Sequence, residues 1–365
     1  MMSSLSCGIV GLPNVGKSSL FNALTANEAP SSNFPFCTID PNVGIVEVYD
    51  NRLEELAKIS KSGKTIHAAM QFVDIAGIVE GASKGEGLGN KFLANIRETD
   101  AILHVVRCFD DSNITHVSGS IDPIRDIEVI NLELMLADLQ SVESMIPKVE
   151  KKAKGDRKLM EAVECLKRVQ SHLNQNQPVR ILDLSEKEKE LLKPYPFLTQ
   201  KQVLYVCNVA EDSLPSMDNP YVQSVKEHAK NEGSSVVTIC ARIEEEIAQL
   251  SKEDQLEFLG SVGLTESGLQ RLVKASFEML GLITFLTTGE METRAWTIPK
   301  GFTAQEAAGK IHTDIMKGFI RAEVVAYDDM IEFQGRVGAR EKGKARSEGK
   351  EYIVKDGDVI LFLHH

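Results

Sequence analysis

What the sequence lacks narrows its function before any motif is considered. No stretch of the 365 residues approaches the ~20 apolar residues a membrane span needs, and the start Met1-Met2-Ser3-Ser4-Leu5-Ser6 has no basic region leading into an apolar core. Secretion and membrane insertion are therefore not expected, and a cytoplasmic location is. The six cysteines, at 7, 37, 108, 165, 207 and 240, include no Cys-x-x-Cys pair. They read as buried or free thiols of a reducing compartment, with neither a disulfide framework nor a zinc site. The eight histidines are equally dispersed, and His364-His365 reads as a polar chain end. An excess of positive charge is missing too: 41 Lys+Arg stand against 53 Asp+Glu. Bulk electrostatics thus argue against a chain coated in nucleic acid.

The length suggests two or three domains at roughly 100 to 200 residues each, and the 42% hydrophobic content is that of globular chains. The acid is unevenly placed. From Gly281 onward 12 basic residues face 13 acidic ones, so nearly all of the excess lies before it. Within the C-terminal part, Arg336, Arg340, Lys342, Lys344, Arg346 and Lys350 meet only Glu341 and Glu348. This segment reads as a basic loop able to meet RNA phosphates, or else as a solvated charged hairpin.

The run Gly11-Leu12-Pro13-Asn14-Val15-Gly16-Lys17-Ser18 follows the apolar strand Cys7-Gly8-Ile9-Val10 and opens the helix Ser19-Leu20-Phe21-Asn22-Ala23-Leu24. This is the complete Walker A pattern in its strand, loop, helix context. Glycines let the backbone close on phosphate, the N–H groups and helix N-terminus face its oxygens, Lys17 reaches the β/γ-phosphates, and Ser18 can ligate Mg²⁺.

The segment Pro30 to Pro41 suits a switch that closes over the γ-phosphate, with the Thr38 hydroxyl completing the Mg²⁺ shell. The strands Val43–Val48 and Met70–Asp74 then lead to Asp74-Ile75-Ala76-Gly77. An aspartate at a strand's carboxyl end, with glycine three residues on, can hold Mg²⁺ through water and sense the γ-phosphate. Gly81, Gly85, Gly87 and Gly89 supply the mobile backbone of a second switch. The strands Ala101–Val106, Gln202–Cys207 and Ser235–Cys240 continue a doubly wound parallel sheet. Where GTPases carry Asn-Lys-x-Asp, this chain reads Asn208-Val209-Ala210-Glu211. The longer carboxylate and the apolar Val209 weaken the fork that selects guanine, as expected of a site that accepts adenine.

With these motifs, Phe36-Cys37-Thr38-Ile39-Asp40-Pro41 and Trp296-Thr297-Ile298-Pro299-Lys300-Gly301, the chain resembles the YchF/Obg-like ATPase family over essentially its whole length. The resemblance implies an α/β fold: a P-loop NTPase domain over 1–280 with a mostly parallel, doubly wound sheet, a helical coiled-coil insertion at 128–200, and a C-terminal ubiquitin-like β-grasp (TGS) domain over 281–365. It also implies ATP hydrolysis in preference to GTP and association with ribosomes, through the large subunit or the 70S particle and its rRNA. Carried over by position, Asn14, Val15, Gly16, Lys17, Ser18 and Ser19 cradle phosphate, Ser18 and Thr38 bind Mg²⁺ with Asp74 acting through water, and Asn208, Val209 and Glu211 line the base. A monomer is expected.

The insertion is legible on its own. Leu132, Met135, Leu139, Val142, Ile146 and Val149 recur at helical spacing, and Leu159, Val163, Leu166 and Val169 repeat it after the basic turn 151–156. Two antiparallel helices with a shared core follow. Beyond Gly281, the strands Ile283–Leu286 and Ala295–Ile298, a helix from Thr303 to His312 and the closing strand Val359–Leu363 read as a small mixed sheet, with Trp296 in its core.

Three functions stay open: an ATPase switch on the translation machinery, an Obg-type GTPase, and a nucleotide-binding scaffold without useful turnover. Ile78 stands where a glutamine normally orients the attacking water. Hydrolysis must then draw on another polar group, a cation or a partner. His116, in the polar loop Asp110 to Asp122, is the candidate that swings toward the γ-phosphate. The amide oxygen of Asn14 is a candidate ligand for a K⁺ ion beside the β/γ bridge.

Overall fold

The computed structural model describes residues 5–26, 42–76, 88–116 and 119–365. In chain order the elements begin with β1 (Ser6–Val10), α1 (Lys17–Ala26), β2 (Val43–Val48), α2 (Asn51–Ser60), β3 (Thr65–Ile66), β4 (Ala68–Asp74), α3 (Leu88–Glu98) and β5 (Ala101–Arg107). The helical insertion follows as α4 (Pro123–Lys152), α5 (Arg157–Leu173) and α6 (Glu186–Leu192). The chain then returns through β6 (Gln202–Asn208), α7 (Pro220–Glu232), β7 (Ser235–Ile239), α8 (Ala241–Ile247), α9 (Lys252–Ser261) and α10 (Gly268–Met279). It closes with β8 (Leu282–Thr288), β9 (Thr293–Pro299), α11 (Ala304–Ile311), α12 (Thr313–Lys317), β10 (Phe319–Ala326), α13 (Tyr327–Glu332), α14 (Arg336–Glu341), β11 (Arg346–Glu348) and β12 (Asp358–His364).

Two compact units emerge: 5–26, 42–44 and 71–272 in the first, 45–70 and 273–365 in the second. The strand order of the first sheet is β2-β4-β1-β5-β6-β7. Its pairs β1–β4, β1–β5, β5–β6 and β6–β7 are parallel. Every residue of β1 and β5 is buried, as expected of central strands covered on both faces. Because the chain winds outward from β1 in both directions, the carboxyl ends of β4, β1 and β5 flank the point where the winding reverses. In open α/β sheets that is where ligands bind.

Helices α4 and α5 pair across a shared core of Met135, Val142, Ile146, Val149, Val163, Leu166 and Val169. Leu132 departs from the expected stripe: it is 44% exposed, so the inward face starts one turn later, at Met135. The glycine expectation also changes in part. Gly89 lies in the first turn of α3 and is buried, whereas Gly81, Gly85 and Gly87 lie outside the described residues.

The second unit is a sheet of order β11-β10-β12-β8-β9-β3. Strand alternation gives it two apolar faces. Phe285, Ile298, Val324, Ile360 and Phe362 pack with Ala304, Ala307 and Ala308 of α11 on one face. Leu286, Ala295, Val325 and Val359 pack with Leu53 and Leu56 of α2 on the other. Residues 45–70, assigned from sequence to the nucleotide domain, are thus part of the unit built on the C-terminal sheet. Arg52 fixes α2 there, donating to Asp356 at 2.8 Å and to the Thr284 hydroxyl at 3.1 Å. Trp296 stacks on Phe285 and is half-buried, its indole N–H donating to the Thr287 hydroxyl at 2.9 Å.

The segment 336–350 is neither a free basic loop nor a hairpin. Arg336 and Arg340 lie about one turn apart on α14, and both donate to Glu323. Lys344 lies 3.6 Å from Asp329, and Arg346 lies 3.5 Å from Glu348. Most of its positive charge is neutralised on the spot.

Candidate nucleotide site

The carboxyl ends of β1, β4, β5, β6 and β7 each deliver one piece of a site. After β1 the backbone turns through left-handed conformations at Asn14 (φ 63°) and Gly16 (φ 95°) before α1 begins at Lys17. A side chain at Gly16 would be excluded twice over, since a Cβ there would lie 2.2 Å from the amide nitrogen of Asn208. The resulting loop aims its backbone and the N-terminus of α1 at one point, the arrangement that binds phosphate. Ser18 is exposed in the first turn, and Leu20, Ala23 and Leu24 bury the opposite face of α1.

Asp74, the last residue of β4, forms an ion pair with Lys17. The two groups assigned to phosphate and metal thus hold each other, each the other's counter-charge. Incoming phosphate would offer Lys17 another anion and a divalent cation would offer Asp74 another partner. Thr38, Gly77 and Ile78 lie outside the described residues.

Asn208, at the end of β6, spends its side chain on the frame. Its amide N–H donates to the carbonyl of Val15 at 2.9 Å, and its oxygen accepts from the N–H of Ala241 at 2.9 Å. The phosphate loop and the loop after β7 are thereby locked to one side chain. Val209 is buried at 2% exposure, its N–H bonded to the Ile239 carbonyl. Glu211 is half exposed and paired at 2.8 Å with Arg242 on α8.

Beyond β5 the loop is drawn tight by Arg107, buried at 1% exposure and not singled out by its sequence. Its guanidinium donates to the carbonyls of Phe109, Asp111 and Ile114. The next carbonyl, that of Thr115, accepts from the side chain of Asn14 at 3.1 Å. His116 does not extend into solvent: it is buried, with Nε2 2.7 Å from the carboxylate of Asp126 in the first turn of α4. Neither Arg107 nor Asp126 belongs to a recognisable motif. The only sequence signal is a charged residue closing a largely apolar strand and an aspartate one turn into a helix.

Strand order, phosphate loop and the lysine–aspartate pair define a P-loop nucleotide hydrolase. Over 361 residues, 98% of this chain and 99% of the other, the sequence is 54% identical to "Ribosome-binding ATPase YchF" of Bacillus subtilis (strain 168). The chain belongs to the YchF family. It is also 54% identical to the protein of that name from Escherichia coli O157:H7, over 98% of both chains. A family model described as 50S ribosome-binding GTPase matches residues 6–155, and the YchF-GTPase_C model, described as a protein of unknown function, matches 282–365. The solved structure titled "Structure of the Schizosaccharomyces pombe YchF GTPase" superposes with a TM-score of 0.89 at 34% identity, covering 100% of this chain and 99% of that one.

Proposed function

We propose that this protein is a ribosome-associated ATPase that hydrolyses ATP to ADP and phosphate in preference to GTP. The observation that carries the base preference is the state of the β6 end. In a guanine site a short aspartate there accepts two N–H bonds from the base. Here the carboxylate is one methylene longer and already paired with Arg242, and the lysine of the guanine motif is replaced by the apolar, buried Val209. A guanine would lose its fork while adenine loses nothing, and a missing polar partner costs more than a missing apolar contact. Isothermal titration of the purified chain with each Mg²⁺-nucleotide tests this. ATP should bind at least about tenfold more tightly, roughly 1.4 kcal/mol, and Glu211→Asp should narrow the gap. Equal or tighter GTP binding contradicts the reading.

Asn14, Val15, Gly16, Lys17, Ser18 and Ser19 cradle the phosphates in this reading, with Asn208 framing the loop and Val209 and Glu211 flanking the base. Ser18, Thr38 and, through water, Asp74 would hold Mg²⁺, whose charge offsets that of the β- and γ-oxygens; an oxygen-only donor set suits that ion. The oxygen of Asn14, oriented by the bond its nitrogen makes to Thr115, is the proposed K⁺ ligand. His116 acts on the attacking water. The protein works as a cytoplasmic monomer.

The ribosome-facing charge is better placed on the helical hairpin than on the C-terminal segment. At its tip Lys151, Lys152, Lys154 and Lys158 are exposed, and none has an ion-pair partner among the described residues. Neutralised arginines release few counterions, whereas free lysines on rRNA phosphate release one each. Replacing Lys151, Lys152 and Lys154 by Glu should reduce cosedimentation with large subunits at least about tenfold and flatten its salt dependence, with hydrolysis by the free protein unchanged. Full cosedimentation of the variant would remove the tip from the interface.

A further inference from the structure

We propose that Arg107 is a positioning residue for nucleotide binding: by strapping the loop after β5 it holds the Thr115 carbonyl against Asn14, and so keeps the phosphate loop in its binding shape before nucleotide arrives. The proposal rests on the reading above that residues 14–19 cradle phosphate. It adds to that reading a residue that acts only through another.

Asn14 stands in the left-handed region at φ 63°, which a residue with a side chain enters only at a cost. Asparagine tolerates the turn best when its amide finds a backbone partner. Here that partner is on a different loop: Nδ2 donates to the carbonyl of Thr115 at 3.1 Å, across 101 residues of sequence. The bond is exposed, so its worth depends on how firmly the acceptor is held in place.

By composition the acceptor's loop would be loose. Ser112, Asn113, Ile114 and Thr115 are all exposed, and exposed loop backbone is where local order is weakest. Arg107 counters this from beneath, at 1% exposure. Its Nε donates to the carbonyl of Phe109 at 3.2 Å, Nη2 to that of Asp111 at 3.2 Å and Nη1 to that of Ile114 at 2.9 Å. Breaking any of these would leave a polar group unpaired in the interior, so the strap is stiff. Two residues of α7 fix the near end of the loop, Asn219 donating to the Cys108 carbonyl at 2.8 Å and the Tyr221 hydroxyl to Asp110 at 2.9 Å. The far end is held at Ile114 by Arg107 and at His116 by Asp126, with Thr115 between them. The last carbonyl of the strap is thus the one immediately before the carbonyl that braces Asn14.

A binding loop that spends part of its time out of shape loses affinity in proportion to that fraction. Weakening the strap should therefore weaken ATP binding although no group that meets phosphate has changed. Lysine at 107 keeps the charge but cannot reproduce the planar fork that reaches three carbonyls.

The test is a double-mutant cycle on the full chain with Arg107→Lys, Asn14→Gly and both together, read by calorimetric titration with Mg²⁺-ATP and by thermal unfolding. Glycine at 14 keeps the left-handed turn unstrained and removes only the donor. Each single variant should bind ATP about fivefold more weakly, the worth of one ordinary hydrogen bond, and the double variant no more weakly than the weaker single. The unfolding midpoint should behave otherwise, Arg107→Lys lowering it equally whether residue 14 is asparagine or glycine. An arginine that merely supports the fold would cost ATP affinity in both backgrounds, so a double variant about twenty-fivefold weaker overturns the proposal. Parental affinity in either single variant overturns it as well. Should Arg107→Lys fail to fold, hydrogen exchange decides: by linkage, saturating ATP should slow exchange of the 109–115 amides in the parent and much less in Asn14→Gly, and equal slowing in the two overturns the proposal. Lys17→Ala is the control on the underlying reading. Parental ATP affinity in that variant removes the loop from phosphate binding, a failure visible without any change at Arg107 or Asn14.

Discussion

His116→Ala should slow single-turnover ATP hydrolysis by about a hundredfold, the lower end of what a positioned acid–base group contributes, while ATP affinity stays within about twofold. The histidine lies one residue beyond a carbonyl bonded to the phosphate loop, and its Nε2 lies 2.7 Å from the carboxylate of Asp126. Removing the ring leaves the Asn14 to Thr115 bond and the phosphate cradle in place, while taking away the group proposed to act on water together with its contact to Asp126. The expected signature is a loss in kcat with KM preserved, the mark of an interaction made in the transition state. Rapid-quench measurement at saturating ATP reads it directly. Unchanged rates would leave a cation or a partner as the source of activation. Repeating the parent assay in K⁺ and in Na⁺ separates these two, because a cation site built on Asn14 should not serve both ions equally.

Lys17→Ala carries the second large effect, on binding. A charge-assisted contact to phosphate contributes about 1.5–3 kcal/mol, so ATP affinity should fall by roughly ten- to a hundredfold. The structure adds a control. Lys17 is the partner of Asp74, and Asp74→Asn loosens the same ion pair while keeping the lysine. That variant should bind ATP with a weakened dependence on Mg²⁺ and turn over slowly, because its missing charge is on the metal side. Calorimetry with and without Mg²⁺ distinguishes the two. Parental ATP affinity in Lys17→Ala contradicts the assignment of the lysine to phosphate.

The phosphate loop was legible because its constraints are local: two left-handed turns, a strand before and a helix after are encoded within residues 7–24. Asp74 and Asn208 could be placed at strand ends from the sequence, but the bonds of Asn208 to Val15 and Ala241 could not be read there, where it stood only as a base-lining residue. What sequence could not supply is long-range. The burial of His116 depends on Asp126, and the role of Arg107 depends on where three carbonyls fall after the strand ends. Nothing in the spacing of Leu53 and Leu56 says that α2 will cover a sheet formed more than 220 residues later. The basic run after Arg336 misled because Glu323, which pairs with Arg336 and Arg340, is on β10, outside the run itself. Leu132 matched the helical period of its neighbours, and period alone cannot tell where a stripe begins.

The most direct measurement of the central claim is phosphate release by the purified chain supplied with ATP and GTP together at equal concentration, each with a distinguishable γ-label, so that the ratio of products gives the ratio of kcat/KM. The account predicts slow release, reduced at least about tenfold by Lys17→Ala, with ATP consumed at least about tenfold faster than GTP. Release of label from GTP at an equal or greater rate, or release indifferent to Lys17, would contradict it.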